Sequence, residues 1–332
     1  MKKYYTIPIF IPEKACPFRC IYCNQYRIAG CPESPSKEEI KGIIEKYMKT
    51  FPPGATVKVG FFGGSFTGMS LEEQTGYLEI VKPYIDQGKI DNIQLSTRPD
   101  YISLPILENL RKYNVRIIEL GAQSLDENVL KMSGRGHSVE EVEKASRLVV
   151  SEGFELGLQM MIGLPLDTME KSIITAHRIV SYGAVYTRIY PTLVIRNTDL
   201  ESMYLSGQYT PLTMDEAIQW SSNLVGIFEQ AQVTILRMGL HPSEGLITGN
   251  DLVDGPFHVS FRELVLSFLW NKILNEQRDH INSRDIVVEV APGQLNYAVG
   301  YGGANKKMLL QRFDRVRFRV NPSLTGRDLI IK

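Results

Sequence analysis

Three cysteines, Cys16, Cys20 and Cys23, sit four and three residues apart in the run Cys16-Pro-Phe-Arg-Cys20-Ile-Tyr-Cys23. Thiolates at that spacing can wrap three corners of an iron–sulfur cube and leave the fourth iron without a protein ligand. An iron with an open position can bind a substrate or a cofactor. Two other readings stay open on the residues alone. Structural zinc wants four closed ligands in paired Cys-x-x-Cys or Cys/His spacing, and no matching second pair is evident. Three unrelated buried cysteines would call for neither regular spacing nor a loop. The fourth cysteine, Cys31 beside Pro32, reads as core or as a spare thiol near the cluster.

The cysteine run follows directly on an apolar, β-rich stretch at 5–11, so it falls in the loop at the carboxyl end of a first strand. Further strand-like runs lie at 57–62, 92–97, 116–121, 155–164, 185–194 and 234–240. Helical patterns separate them. Ser36 with Glu39, Ser70 with Glu73, Ser138 with Glu141, and Thr213 with Glu216 are capping boxes ahead of apolar-periodic stretches. Strand then helix, repeated six times and closed by a seventh strand, predicts a parallel sheet curved into a partial (β/α)6 TIM-like barrel of α/β class; a flat doubly wound sheet is the alternative. Barrel active sites form at the carboxyl ends of the strands, which is where the thiols fall. Periodicity breaks near His241, in a stretch containing Gly, Asp and Pro. The expected domains are therefore a barrel over 1–240 and a small α+β domain over 241–332, basic at its end.

Composition restricts the classes of function. With 332 residues, 43% hydrophobic and 22% charged, the chain is globular, neither disordered nor fibrous. Thirty-seven Lys+Arg balance thirty-seven Asp+Glu, so any contact with a polyanion must come from a local patch. One such patch lies at the end: residues 300–332 hold eight Lys/Arg against Asp314 and Asp328. There Gly300, Gly302 and Gly303 precede Lys306 and Lys307 at an expected helix start, and Gly300, Gly303, Lys306 and Lys307 are candidate RNA contacts through backbone amides and charge. A plain glycine turn is the simpler reading. No run approaches the roughly 18 apolar residues of a membrane span, and the first twelve residues do not form a signal sequence, so a cytoplasmic protein with no membrane partner is expected.

The pattern Cys-x-x-x-Cys-x-aromatic-Cys after the first strand of a β/α array resembles the signature of the radical S-adenosylmethionine (radical SAM) superfamily. The resemblance implies an enzyme whose Cys16, Cys20 and Cys23 hold a [4Fe–4S] cluster. S-adenosylmethionine would chelate the open iron and be cleaved by one electron to a 5′-deoxyadenosyl radical that abstracts hydrogen. It implies an electron donor such as flavodoxin or ferredoxin, and it gives the backbone of Tyr22 to the adenine. Phe61-Phe62-Gly63-Gly64-Ser65-Phe66-Thr67 is similar to the superfamily's Gly-Gly-Glu motif for the methionyl amino group, with Ser65 in place of the glutamate. There a carbonyl or the hydroxyl would have to accept the bond. Taken alone, Gly63 and Gly64 read as a tight turn.

Several stretches resemble the radical domain of the Elongator catalytic-subunit family: Ser96-Thr97-Arg98-Pro99-Asp100-Tyr101, Glu119-Leu120-Gly121-Ala122-Gln123-Ser124, Gly134-Arg135-Gly136-His137, and 188–196. The likeness covers about residues 9–205. It and the related oxygen-independent coproporphyrinogen oxidases imply Gln123 on the ribose and Arg135 on the methionyl carboxylate, which a guanidinium can grip with two parallel bonds. Ser96 and Gln159 stand where the oxidases carry acidic ribose partners, and they too would bond a ribose. Arg188 holds a basic position on strand six and would contact cofactor or substrate. The alternatives are a strand-end cap for Gln123, a solvated cation for Arg135 and a packed pair for Tyr190-Pro191. The Elongator family's acetyltransferase domain and basic amino-terminal region are not expected in this chain. RNA, tRNA first, is the implied substrate class. A small metabolite or tetrapyrrole, or a non-catalytic RNA-binding protein with a structural cluster, are the alternatives.

Overall fold

The computed structural model describes residues 4–11, 20–24, 27–28 and 34–332. Contacts group the chain into two compact units. Met1–Thr213 with Leu224–Phe257 form the first, and Met214–Asn223 with His258–Lys332 the second.

The first unit is built on seven parallel strands in sequence order: β1 (Tyr4–Ile11), β2 (Thr56–Gly63), β3 (Asn92–Thr97), β4 (Val115–Gln123), β5 (Glu155–Ile162), β6 (Tyr186–Pro191) and, after a short β7 (Val194–Ile195), β8 (Thr234–Met238). Sequential parallel neighbours with a helix at most crossovers curl into a half-barrel. The helices include α1 (Lys37–Met48), α2 (Leu71–Asp86), α3 (Leu104–Lys112), α4 (Glu127–Met132), α5 (Val139–Ser151), α6 (Met169–Ser181), α7 (Asp199–Leu205) and, from Leu224 on, the end of α8 (Met214–Gln230), whose first part groups with the second unit. Three of the expected capping boxes form in full. Ser36, Ser70 and Ser138 each accept from the amide of the glutamate three residues on, and that glutamate bonds back. Each satisfies two backbone donors that a helix start leaves open.

The run expected as one strand over 185–194 is interrupted. β6 stops at Pro191, and β7 instead pairs antiparallel with β9 (Leu252–Asp254) in a separate ribbon. Thr192 closes the break: its amide and its hydroxyl both donate to the Ile162 carbonyl.

The second unit packs α9 (Phe261–Arg278), α10 (Leu295–Val299) and α11 (Ala304–Leu309) on a three-stranded sheet in which β10 (Asp285–Val290) lies between parallel β11 (Arg315–Val320) and antiparallel β12 (Leu329–Ile331). Its core gathers Trp270, Leu274, Ile286, Val288, Leu309 and Phe313. Among the described residues, no helix is long and apolar enough to cross a membrane.

Candidate active site

Residues 20–23 form a tight turn that brings Cys20 and Cys23 together, with the Cys23 amide donating to the Cys20 carbonyl at 2.9 Å. Backbone bonds anchor it on both sides. The Ile21 amide donates to Ser133 O, and Ile21 O accepts from the Leu200 amide. Cys20 is buried, Cys23 half-buried, and both are thiols rather than disulfide partners. Cys16 and Cys31 lie outside the described residues.

Arg135 is buried against this turn. Its Nη1 lies 3.4 Å from Cys20 Sγ and its Nη2 donates to Gly121 O at 2.8 Å, while Nε has no hydrogen-bond partner among the described residues. Burial works against the charge, but Tyr22 and Cys20 beside it outweigh burial and hold the guanidinium firmly protonated. Burial, with Cys20 adding to it, pushes the Tyr22 phenol well up. Arg98 supports the segment by donating to the Arg135 carbonyl at 2.9 Å while its own charge is held by Asp100. Gly121 makes the close approach possible, because a Cβ there would lie 2.7 Å from Arg135 Nη2.

Gln123 ends β4 in an unusual conformation. Its φ is +65°, and the pairing with β5 slips between Gly121 and Gln123. A bulge of this kind re-aims a side chain, and a non-glycine residue in the left-handed region is a strained placement that its surroundings must hold. The buried Gln123 Oε1 has no hydrogen-bond partner among the described residues.

Gln123 faces a cavity of about 460 Å³ inside the half-barrel, whose wall also includes Tyr22, Cys23, Gly63, Ser96, Gln159 and Arg188. Gly64 and Ser65 line a small adjoining pocket that Ser96 also reaches. Gly63 has φ +111°, and a Cβ on it would lie 2.8 Å from the Ile11 carbonyl, which accepts from the Gly64 amide. The two glycines thus close β2 against β1, and Ser65 is buried at the start of the following 3-10 turn.

A buried ionic network crosses the barrel and was not legible in the sequence. Glu119 on β4, 1% exposed, accepts from Arg188 Nη2 at 2.8 Å, from Arg188 Nε and Gln94 Nε2 at short range, and from Gln159 Nε2 at 3.2 Å. Gln159 Nε2 also donates to Ser96 Oγ at 3.0 Å. Arg188 stacks on Phe62, 4.9 Å from the ring centroid, and its Nη1 is 3.3 Å from Tyr190 Oη. The signal that could have found Glu119 is Gly157, its register partner on β5: a Cβ there would sit 2.8 Å from Glu119 Cγ. Burial lowers the pKa of nearby Lys58, with Glu119 acting in the opposite direction.

The candidate RNA residues lie in the second unit. Gly300 and Gly303 have left-handed φ, but the Gly300, Tyr301 and Gly303 amides donate internally, to Asn296 O, Ser267 Oγ and Gly300 O. Three amides that a phosphate cradle would use are therefore committed, which leaves the charges of exposed Lys306 and Lys307.

These features define a class. The model of the radical SAM superfamily matches residues 11–178 and that of the Radical_SAM C-terminal domain matches 185–270. The chain belongs to the radical SAM superfamily, a superfamily of enzymes.

More particularly, it is similar to tRNA uridine(34) acetyltransferase of Methanocaldococcus infernus, 26% identical over 204 residues covering 54% of this chain and 38% of that one. It is also similar to Elongator complex protein 3 of Saccharomyces cerevisiae, 30% identical over 212 residues covering 57% and 38%. The chain thus spans less than half the length of these two relatives. Its fold matches the archaeal Methanocaldococcus infernus Elp3 with a TM-score of 0.66 at 21% identity, over 82% of this chain and 64% of that one. It matches SuiB of Streptococcus suis with a TM-score of 0.51 at 13% identity, over 74% and 50%.

Proposed function

We propose that this chain cleaves S-adenosylmethionine reductively at a [4Fe–4S] cluster held by Cys16, Cys20 and Cys23, and that it acts in the modification of RNA, tRNA first. The donor set suits such a cluster: two thiols one turn apart, in a loop at the carboxyl end of a strand, beside a buried guanidinium that stabilises thiolate charge. When bound, cluster and S-adenosylmethionine together supply one-electron cleavage to a 5′-deoxyadenosyl radical able to take hydrogen from a substrate.

The observation that carries the reading is a pair of buried polar atoms, Gln123 Oε1 and Arg135 Nε, with no hydrogen-bond partner among the described residues, on side chains that both approach Gly121. Leaving such atoms unsatisfied costs about 1–3 kcal/mol each, so their presence supports a polar ligand that completes them. Gln123 would bond the ribose hydroxyls, and Arg135 would hold the methionyl carboxylate. Ser96 and Gln159 would extend the ribose contact, and Tyr22 would offer its backbone to the adenine. Gly63, Gly64 and Ser65 would present carbonyls or a hydroxyl to the methionyl ammonium. Arg188, locked to Glu119, would border the substrate side. A low-potential flavodoxin or ferredoxin would deliver the electron, in the cytoplasm.

The tRNA relatives support the substrate class, and exposed Lys306 and Lys307 are the contact we assign to RNA in the second unit. The test is nucleoside mass spectrometry of bulk tRNA incubated anaerobically with reconstituted chain, reductant and S-adenosylmethionine. A nucleoside that changes mass only in the complete mixture supports RNA modification. No change in any nucleoside, with 5′-deoxyadenosine still formed, would move the substrate to small molecules.

A further inference from the structure

The cavity wall carries a cluster of cations. Lys58 on β2, Arg188 on β6 and Arg237 on β8 all line it, and among the described residues no carboxylate does. Arg188 and Arg237 are register partners on neighbouring parallel strands, so their side chains share a face. Like charges placed side by side on a sheet repel. The carboxylate that answers this group, Glu119, is already engaged by Arg188, Gln94 and Gln159. Arg237 has backbone carbonyls instead, Nε on Gly239 O at 3.0 Å and Nη2 on Leu240 O at 3.3 Å, and no carboxylate partner among the described residues. Burial lowers its pKa, with Tyr190 opposing and the charge of Arg188 adding to the shift. Glu119 answers Arg188 directly and, with Glu155, acts on Lys58; Arg237 has no such counter-charge among the described residues.

We infer that Arg237, with Arg188 and Lys58, forms a subsite for an oxyanion of the substrate, a phosphate or a carboxylate. The inference rests on the radical SAM reading only in assigning the cavity to cofactor plus substrate. Phe62 stacks on Arg188, and Tyr190, whose Oη accepts from Arg188 Nη1 at 3.3 Å, also lines the cavity, so aromatic surface flanks the cations. An arginine pair beside apolar wall favours a flat, charged molecule over a neutral one. For an RNA substrate the oxyanion is a backbone phosphate; for a small molecule it is a phosphate or carboxylate of its own.

Calorimetric titration of the full chain with uridine 5′-monophosphate, succinate and neutral uridine, in low-chloride buffer, separates the sources. Equilibrium dialysis with S-adenosylmethionine runs alongside. At least one anion is expected to bind more tightly than uridine, to weaken at least about tenfold in Arg237→Gln, and to recover in part in Arg237→Lys. Melting curves confirm that both variants fold. Preference for the monophosphate assigns the subsite to phosphate, and preference for succinate assigns it to carboxylate. Failure of both anions to bind wild type, or equal binding by wild type and Arg237→Gln, overturns the subsite. A chain that binds S-adenosylmethionine but neither anion refutes the subsite alone. Arg237-dependent anion binding without S-adenosylmethionine binding refutes the cofactor reading and leaves the subsite standing.

Discussion

Glu119 and Arg188 meet inside the barrel as a forked ion pair, both carboxylate oxygens facing Nε and Nη2 of the same guanidinium, with the second contact at 2.8 Å. Glu119 is 1% exposed and the Arg188 side chain 14%, so if its partner is removed the carboxylate has no route to water and the guanidinium meets water only from the cavity side. Glu119→Gln should destabilise the chain by about 3–5 kcal/mol in urea unfolding, because it strands a buried cation. Replacing both partners, Glu119→Leu with Arg188→Met, should recover most of that loss. A loss under about 1 kcal/mol in the single variant would show that water reaches the pair.

Gly121 supplies a second test. An alanine Cβ at this position would lie 2.7 Å from Arg135 Nη2 and 3.0 Å from Gln123 Nε2, so Gly121→Ala must push both side chains away. Its φ is not left-handed, so the backbone tolerates the change. The expected outcome is a folded chain with S-adenosylmethionine affinity about tenfold weaker by equilibrium dialysis. Unchanged affinity would separate Arg135 and Gln123 from the cofactor.

Protonation of His137 sets a pH dependence. Burial, then the charges of Arg135 and Arg98, lower its pKa from 6.5 to about 3. Below 6.5 the unfolded chain therefore binds a proton that the folded chain refuses. This residue's contribution to stability is complete above about pH 6.5 and is lost as pH falls toward about 3. Urea midpoints measured from pH 7.5 to 4.5 should fall less steeply in His137→Gln than in wild type. Parallel profiles would place the titration elsewhere.

Helix starts were legible from short-range signals. Ser36, Ser70 and Ser138 each pair with a glutamate three residues on, and that short-range chemistry needs no tertiary context. The strand order also followed from alternation, since sequential parallel crossovers leave few arrangements. The break after Pro191 was hidden, because strand-forming residues stand on both sides of it in 185–194 while the Ile162 carbonyl that Thr192 caps belongs to another strand. Glu119 escaped notice for a similar reason. One acid in a β-run reads as an exposed register position until Arg188, 69 residues on, closes over it. Arg237 read as one residue of a last strand, and its register match with Arg188 exists only in the folded sheet. Gln123 and Arg135 were found through family resemblance, and the fold brings both side chains against Gly121.

The most direct test of the account is 5′-deoxyadenosine formation by anaerobically reconstituted, reduced chain with S-adenosylmethionine and bulk tRNA, in wild type and in Cys20→Ala. The account predicts product from wild type and none above background from Cys20→Ala, with Gln123→Ala reduced but measurable. Equal product from wild type and Cys20→Ala, or a wild-type chain that carries iron and sulfide yet binds no S-adenosylmethionine, would contradict it.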